Sequence, residues 1–204
     1  MTMKFPPKTF DYDEPPPNEM IIERVPRGSS VLDVGCSSGK LGQTLKQEKE
    51  CKVVGVEGDH ELARRAKNFL DDVYELDLNS GRMPNGSFDC IIFSDILEHM
   101  LDPASLLKSY RGLLKEGGRL LCSLPNVANW QIRLNLLAGI WDYEHPLTHW
   151  GHLHYFTLGQ MRDMIEYSGY GIDSVAPRNL RIKLLGRLWP ELFAFQFVIQ
   201  ARKK

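Results

Sequence analysis

The chain has 204 residues, 43% hydrophobic and 10% aromatic, which is enough apolar material for one packed domain with appendages and too much for a charge-rich disordered chain. With 25 basic and 26 acidic residues the formal charge is -1, so no global field draws the chain to nucleic acid or to an anionic membrane. No apolar run approaches the roughly 20 residues of a membrane span, and the opening MTMKFPPKTF has no signal-peptide core; the expected location is cytoplasmic, with no nucleic-acid partner.

Residues 1–18 hold Pro6, Pro7, Pro15, Pro16 and Pro17, which disfavour helix and strand and predict an extended arm ahead of a domain over 19–204. Two readings stand for Phe10 and Tyr12 in that arm: a lid folded over a bound ligand, or part of a disordered tail. SSVLDVGC (29–36) is an apolar, β-branched run ending at a glycine, and KLGQTLKQEK after it has helical character. KVVGVE (52–57) predicts a second buried strand. Asp59 caps the helix after it, where Leu62, Ala63, Ala66, Phe69 and Leu70 keep the helical period. A short third strand is expected at 73–76, and FDCIIFSD (88–95) reads as a strand covered on both faces.

Asp102 and Pro103 start a helix whose stripe Leu106, Leu107, Tyr110, Leu113 and Leu114 is expected to stop at Gly117 and Gly118, before a fifth strand at 119–125. This alternation predicts a parallel sheet with helices on both faces. Residues 126–156 then concentrate Trp130, Trp141 and Trp150 with His145, His149, His152 and His154. Thr157 caps a helix ending at Gly169, and the β-like runs 170–176 and 192–201 predict a hairpin-like edge. Cys36, Cys51, Cys90 and Cys122 form no CxxC pair and are read as reduced thiols in the core.

The strongest chemical signal is VLDVGCSSGKLG (31–42). A strand running into Gly35, with Gly39 at a helix start, lets backbone approach a ligand and predicts open N–H groups there. A dinucleotide fingerprint would need glycines at 37 and 40, where this chain has Ser37 and Lys40. Asp33 would repel a pyrophosphate and favour an ammonium group. Glu57 stands 22 positions beyond Gly35, near the spacing at which a carboxylate clamps ribose hydroxyls.

Taken in order, Asp33, the glycine loop and Glu57 resemble the class I S-adenosylmethionine (SAM) dependent methyltransferases, over roughly residues 25–200. The resemblance implies an α/β fold: a Rossmann-like seven-stranded sandwich in strand order 3-2-1-4-5-7-6, mostly parallel with an antiparallel last strand. It implies S-adenosyl-L-methionine as cofactor. Asp33, Gly35, Cys36, Ser37 and Gly39 would border its methionine part, Glu57 would hold the ribose with Gly58 beside it, and Asp77 and Leu78 would meet the adenine. Ser94 and Asp95, within the fourth-strand motif FDCIIFSDILEHMLDP, join the cofactor-binding set. Many relatives have glycine where Ser37 stands, so the loop would approach the amino acid part differently.

LEH followed by DP is similar to the small-molecule O-methyltransferases of ubiquinone biosynthesis, while 126–156 resembles bacterial methyltransferases with unassigned or cell-surface glycan substrates. The reaction implied is methyl transfer to an oxygen, with nitrogen as second choice, of a small-molecule acceptor such as a glycan or quinone-type metabolite. SDILEH lacks the Asn/Asp-Pro-Pro-aromatic motif of nucleobase amino methylation. A non-catalytic SAM-binding regulatory or assembly protein is the alternative.

His99 is the first candidate for the general base and His154 the second, with Glu98 as an orienting group or, like Asp95, a base in its own right. Trp130, Arg133, Trp141, His149 and His152 are expected to line the acceptor pocket within a covering insertion at 126–156, and Leu134 to pack in the core. His152 and His154 would share one face of an extended segment. With no Asp, Glu or Cys interleaved among the histidines, no metal is expected. Arg178, Arg181, Lys183 and Arg187 read as a solvated basic loop, or as a site for a phosphate or acidic acceptor.

Overall fold

A computed structural model describes residues 16–149, 151–178 and 188–204. The arm residues 1–15 with Phe10 and Tyr12, Trp150, and Arg181, Lys183 and Arg187 lie outside the described residues.

Seven strands form one sheet: β1 (Ser30–Val34), β2 (Lys52–Glu57), β3 (Asp72–Glu75), β4 (Phe88–Ser94), β5 (Leu114–Pro125), β6 (Tyr170–Arg178) and β7 (Gln196–Lys203). Their order is β3-β2-β1-β4-β5-β7-β6, as the resemblance implies. Strands β1 to β5 pair in parallel, and β7 runs antiparallel to both of its neighbours, β5 and β6. The helices are α1 (Glu19–Arg24), α2 (Lys40–Lys49), α3 (His60–Ala66), α4 (Pro103–Tyr110), α5 (Trp130–Leu137), α6 (Leu158–Tyr167) and α7 (Pro190–Phe193). No helix among the described residues is long and apolar enough to cross a membrane.

Alternation along the central strands builds two cores, one per face of the sheet. Val31, Val53, Cys90, Ile92 and Leu121 pack with Ile21 of α1, Leu45 of α2 and Ala63 and Ala66 of α3. Leu32, Val56, Ile91, Phe93 and Cys122 point the other way, onto Leu107 and Tyr110 of α4 and Met161 and Ile165 of α6. Each fully buried side chain of this size contributes about 1.5–3 kcal/mol of transfer free energy. All four cysteines are free and buried.

The capping signals act as expected. Asp59 accepts from the Leu62 amide, Asp102 from that of Ser105, and Thr157 closes a reciprocal capping box with Gln160. Two boundaries differ. Helix α4 stops at Tyr110, a 3-10 turn covers Arg111–Leu113, and β5 already begins at Leu114, which pairs with Phe88; Gly117 and Gly118 therefore lie inside the strand. The run 192–201 is strand only from Gln196, because Asn126 captures the carbonyls of Glu191 and Ala194 with its side-chain amide and holds α7 as a helical turn. Leu134 is a third correction: it is 54% exposed, since α5 buries Ile132 alone of its apolar residues.

Candidate active site

The strand order reverses direction between β1 and β4, the place where open α/β sheets gather ligands beyond their carboxyl ends. Gly35 turns the chain there at φ +75°, and a Cβ on it would come within 2.7 Å of Ile96 Cγ1. The loops after β1 and β4 therefore touch at a point that only glycine allows. Asp33, two residues earlier, is 1% exposed.

The expected open amides are already engaged. Gly35 and Cys36 donate to the Val56 carbonyl at 2.8 and 3.0 Å, Gly39 donates to the Cys36 carbonyl at 2.9 Å, and Ser37 donates to Glu57 Oε2 at 2.9 Å. So tight a turn folds its donors back onto its own strands. Gly39 serves packing, because a Cβ there would lie 3.1 Å from the Ala66 backbone of α3. The Cys36 side chain is buried in the core between β2 and its helices. Ser37 has φ +50°, in the left-handed region, which explains glycine at this place in relatives.

Glu57 ends β2 with its carboxylate fixed by three amides: Ser37 on Oε2, and Gly58 and Asp59 on Oε1 at 2.8 and 2.9 Å. A carboxylate offers about four acceptor sites, so roughly one remains for a further donor. Asp77 caps the 3-10 turn Leu78–Ser80 by accepting from the Asn79 amide, and Asn79 Oδ1 accepts from the Leu101 amide at 3.0 Å. Asn79, which no sequence signal marked, thus ties the loop after β3 to the segment after β4.

Beyond β4 the chemistry changes from backbone to side chain. Asp95 is held at φ +54°; its carboxylate accepts from Gln196 of β7, whose Oε1 accepts from Arg178 of β6 at 2.8 Å. Ser94 bonds Ser123 of β5 at 3.2 Å. Burial raises the Asp95 carboxyl above its ordinary range. The bonds of Ser94 and Asp95 run toward β5, β7 and β6, through partners that periodicity does not single out.

Glu98 and His99 sit on the 3-10 turn Leu97–His99. The Glu98 carbonyl accepts from the Leu153 and His154 amides at 2.8 and 3.0 Å, which fastens the 151–155 segment over the end of β4. His99 Nδ1 lies 2.8 Å from the Gly151 carbonyl, and His152 stands edge-on to the His99 ring, centroids 4.9 Å apart. The Glu98 side chain is 1% exposed; burial first, then the charge of Asp95, hold its carboxyl well above the usual range. Burial, with smaller contributions from His99 and His149, pushes His152 down to about 4. His149 is shifted down as well, mainly by burial, with its ring centroid 5.9 Å from that of His152.

The expectation that His152 and His154 share a face is not met. His152 turns in to His99, while the His154 ring stacks on Phe156 and places Nε2 3.4 Å from the Leu101 carbonyl. The segment is a succession of turns and bends, so the two-residue alternation of a strand does not apply. An acid does join the imidazoles, Glu98, from an element over 50 residues earlier.

A methyltransferase-domain family matches the chain over residues 16–175. The chain belongs to the class I SAM-dependent methyltransferases. Among curated relatives of this methyltransferase, the ubiquinone biosynthesis O-methyltransferase of Xanthomonas axonopodis pv. citri is 31% identical over 108 residues, half of this chain and 45% of that protein. The chain spans less than half the length of the first curated relatives it matches. Among solved structures, a SAM-dependent methyltransferase from Thermotoga maritima, described as a possible histamine N-methyltransferase, has a TM-score of 0.70 at 17% identity, covering 91% of this chain and 87% of that one. One from Mesorhizobium loti has a TM-score of 0.66 at 18% identity, covering 91% and 96%. At these identities the structural likeness is one of fold.

The methyltransferase cofactor is SAM, and the residues here fit it. A buried carboxylate, Asp33, lies beneath a loop that Gly35 and Ser37 carry through the left-handed region, and Glu57 keeps one accepting direction on a carboxylate already held still by three amides. A two-hydroxyl ribose clamp at Glu57 requires the release of one of those amides. Of the residues expected to line the acceptor pocket, Trp130 is half-buried at the start of α5, and Trp141 packs edge-on against Tyr155 at 5.2 Å. Arg133 is exposed and folds its Nε onto the Ala128 carbonyl at 2.8 Å.

Proposed function

We propose that this methyltransferase transfers the methyl group of SAM to a hydroxyl oxygen of a small molecule, and that His99 Nε2 takes the hydroxyl proton. SAM supplies a methyl group already activated on a sulfonium, so the sulfur–carbon bond breaks as the oxygen–carbon bond forms and neutral S-adenosylhomocysteine leaves. The chain's part is to orient, to exclude water and to remove one proton.

The observation that carries the reading is the 2.8 Å contact between His99 Nδ1 and the Gly151 carbonyl, which selects the tautomer of the neutral ring. A carbonyl only accepts, so the 2.8 Å contact with Gly151 puts the ring proton on Nδ1 and the lone pair on Nε2. A hydroxyl is a poor nucleophile until its proton is leaving, and a positioned base contributes typically 10²- to 10⁴-fold. An amine acceptor attacks through its own lone pair and needs that base less, so the arrangement favours oxygen over nitrogen. The Xanthomonas relative, an O-methyltransferase by name, agrees with this reading.

In this reading Asp33, Gly35, Cys36, Ser37 and Gly39 flank the methionine part of the cofactor, Glu57 and Gly58 its ribose, Asp77 and Leu78 its adenine, and Ser94 and Asp95 the methyl end. Trp130, Arg133, Trp141, His149 and His152, from the 126–156 segment, cover the acceptor. His154, with its Nε2 turned to Leu101, is the weaker base.

The test is mass spectrometry of the full chain with SAM and a panel of phenols, sugars and amines. Gain of one methyl on a hydroxyl compound, lost in His99→Ala with SAM affinity retained, is the expected result. Methylation of amines alone would overturn the oxygen assignment, and SAM binding with no product from any acceptor would favour a non-catalytic SAM-binding protein.

A further inference from the structure

Two buried atoms near the end of β4 lack any hydrogen-bond partner: Glu98 Oε2 and His152 Nδ1. Buried polar atoms are satisfied in the great majority of cases, and an unpaired carboxylate is among the more costly exceptions. Both residues belong to one cluster. Glu98, His99 and His152 each offer a ligand atom, and the three atoms lie within 4.8 Å of one another.

We infer that Glu98, His99 and His152 form a binding site for a first-row divalent cation of the zinc type. Two imidazole nitrogens and one carboxylate are a donor set suited to zinc, where magnesium and calcium prefer oxygen alone. Three protein ligands leave one position for an oxygen ligand, and a hydroxyl-bearing acceptor is the class of molecule that fills it. Bonds of about 2.0–2.1 Å in a tetrahedron put ligand atoms about 3.4 Å apart. The widest pair has to close by up to about 1.4 Å, a change that rotation about the side-chain torsions would have to supply.

Three features prepare the site. The Gly151 carbonyl takes Nδ1 of His99 and aims Nε2 away from it, the backbone anchoring usual for a metal-binding imidazole. The His152 ring stands edge-on to that of His99, with centroids 4.9 Å apart, which brings it into the same cluster as Glu98. The scaffold is independent of any ion, because the turn that carries Glu98 and His99 is joined to 151–154 through backbone hydrogen bonds from Leu153 and His154. Removing one donor therefore leaves the fold standing.

The use of the cation rests on the proposed hydroxyl methylation; its binding does not. In the metal-free chain His99 Nε2 takes the hydroxyl proton; with the ion in place Nε2 is a ligand, and the cation instead makes the acceptor hydroxyl more acidic, so that its proton is lost to solvent as the acceptor binds and before water is excluded. The competing account is that Glu98 is simply a protonated acid among neutral imidazoles, and Glu98→Gln separates the two, since the amide copies a protonated carboxyl in shape and charge but is a poor zinc ligand.

The experiment uses the tag-free full chain, stripped with chelator, titrated with Zn²⁺ by calorimetry and with Co²⁺ by visible absorption. We expect one ion per chain, d–d bands of four- or five-coordinate Co²⁺, and a higher Tm with Zn²⁺. Glu98→Gln and His152→Ala should each weaken binding about 100-fold or more, while His60→Ala, a histidine on the exposed end of α3, should leave it unchanged. SAM affinity measured on the same samples reports that the variants are folded. Absence of stoichiometric binding, or equal affinity in Glu98→Gln, would overturn the site. Metal binding without methylation of any hydroxyl compound would overturn the proposed function and leave the site intact.

Discussion

The two sides of the cleft are built by different means. On the side proposed for the cofactor the loop after β1 is held by its own amides: those of Gly35 and Cys36 close onto the Val56 carbonyl, that of Ser37 onto the Glu57 carboxylate and that of Gly39 onto the Cys36 carbonyl, all within about 20 residues. Beyond β4, where the methyl end of the cofactor and the acceptor are proposed to meet, the decisive contacts are long-range: Gly151 to His99, Leu153 to Glu98, and Gln196 to Asp95 across 101 residues. The first side is rigid because its geometry is local. The second is specified by which distant loop arrives, and that leaves it free to differ between relatives that share the cofactor half.

The sharpest way to break the comparison is His99→Ala, which acts on one side alone. Turnover with an identified acceptor should fall about 10²- to 10⁴-fold while SAM affinity, followed by calorimetry, stays within about twofold. An equal loss of SAM binding would show that the two sides are one unit. Gly35→Ala should injure both together, since it forces a side chain into φ +75° and against Ile96 at 2.7 Å; we expect a destabilisation of about 2–4 kcal/mol in denaturant unfolding and loss of SAM binding.

Glu57→Ala should weaken SAM binding by about 10- to 100-fold, the worth of one or two hydrogen bonds to a charged acceptor, and leave acceptor affinity unchanged. The smallest effect lies under the sheet, away from both sides. Asp89 accepts from the Ser30 hydroxyl and amide and from Lys115, which together hold its carboxyl down at about 2. A depressed carboxyl stabilises the fold fully above its unfolded value of about 4 and ceases to do so as pH falls toward 2. With the side chain 42% exposed, solvent screening limits the contribution to less than about 1 kcal/mol. Asp89→Asn should thus lower stability at pH 7 by less than about 1 kcal/mol and leave it unchanged near pH 2, which flattens the acid limb of the stability curve slightly.

Much of the cofactor half was legible because its signals are local: β-branched runs, Gly35, and acids at strand ends and helix caps. The strand order followed from resemblance, and it holds. The misread boundaries have a common cause. Gly117 and Gly118 resemble a helix stop, yet the pairing of Leu114 with Phe88, a tertiary contact, draws the chain into β5 sooner. The run before β7 looks like strand, and Asn126 holds it as a helical turn from 65 residues away. Among the candidate site residues, His99 was visible from its place after a strand. Its grouping with Glu98 and His152 was not, because no periodicity joins residue 98 to residue 152; Asn79, Gln196 and the Gly151 carbonyl lay hidden for the same reason.

The position of β7 between β5 and β6 has a consequence for the birth of the protein. Leaving the ribosome in order, β5 and then β6 emerge with no partner on their facing edges, and β6 pairs with β7 alone. Until residues 196–203 are out, β5 presents an open, apolar strand edge to other nascent chains. The parallel half, β3-β2-β1-β4, can close earlier during synthesis. The half that carries Gln196 to Asp95 waits for the last strand, so that a stalled or clipped chain is an aggregation hazard before it is an inactive enzyme.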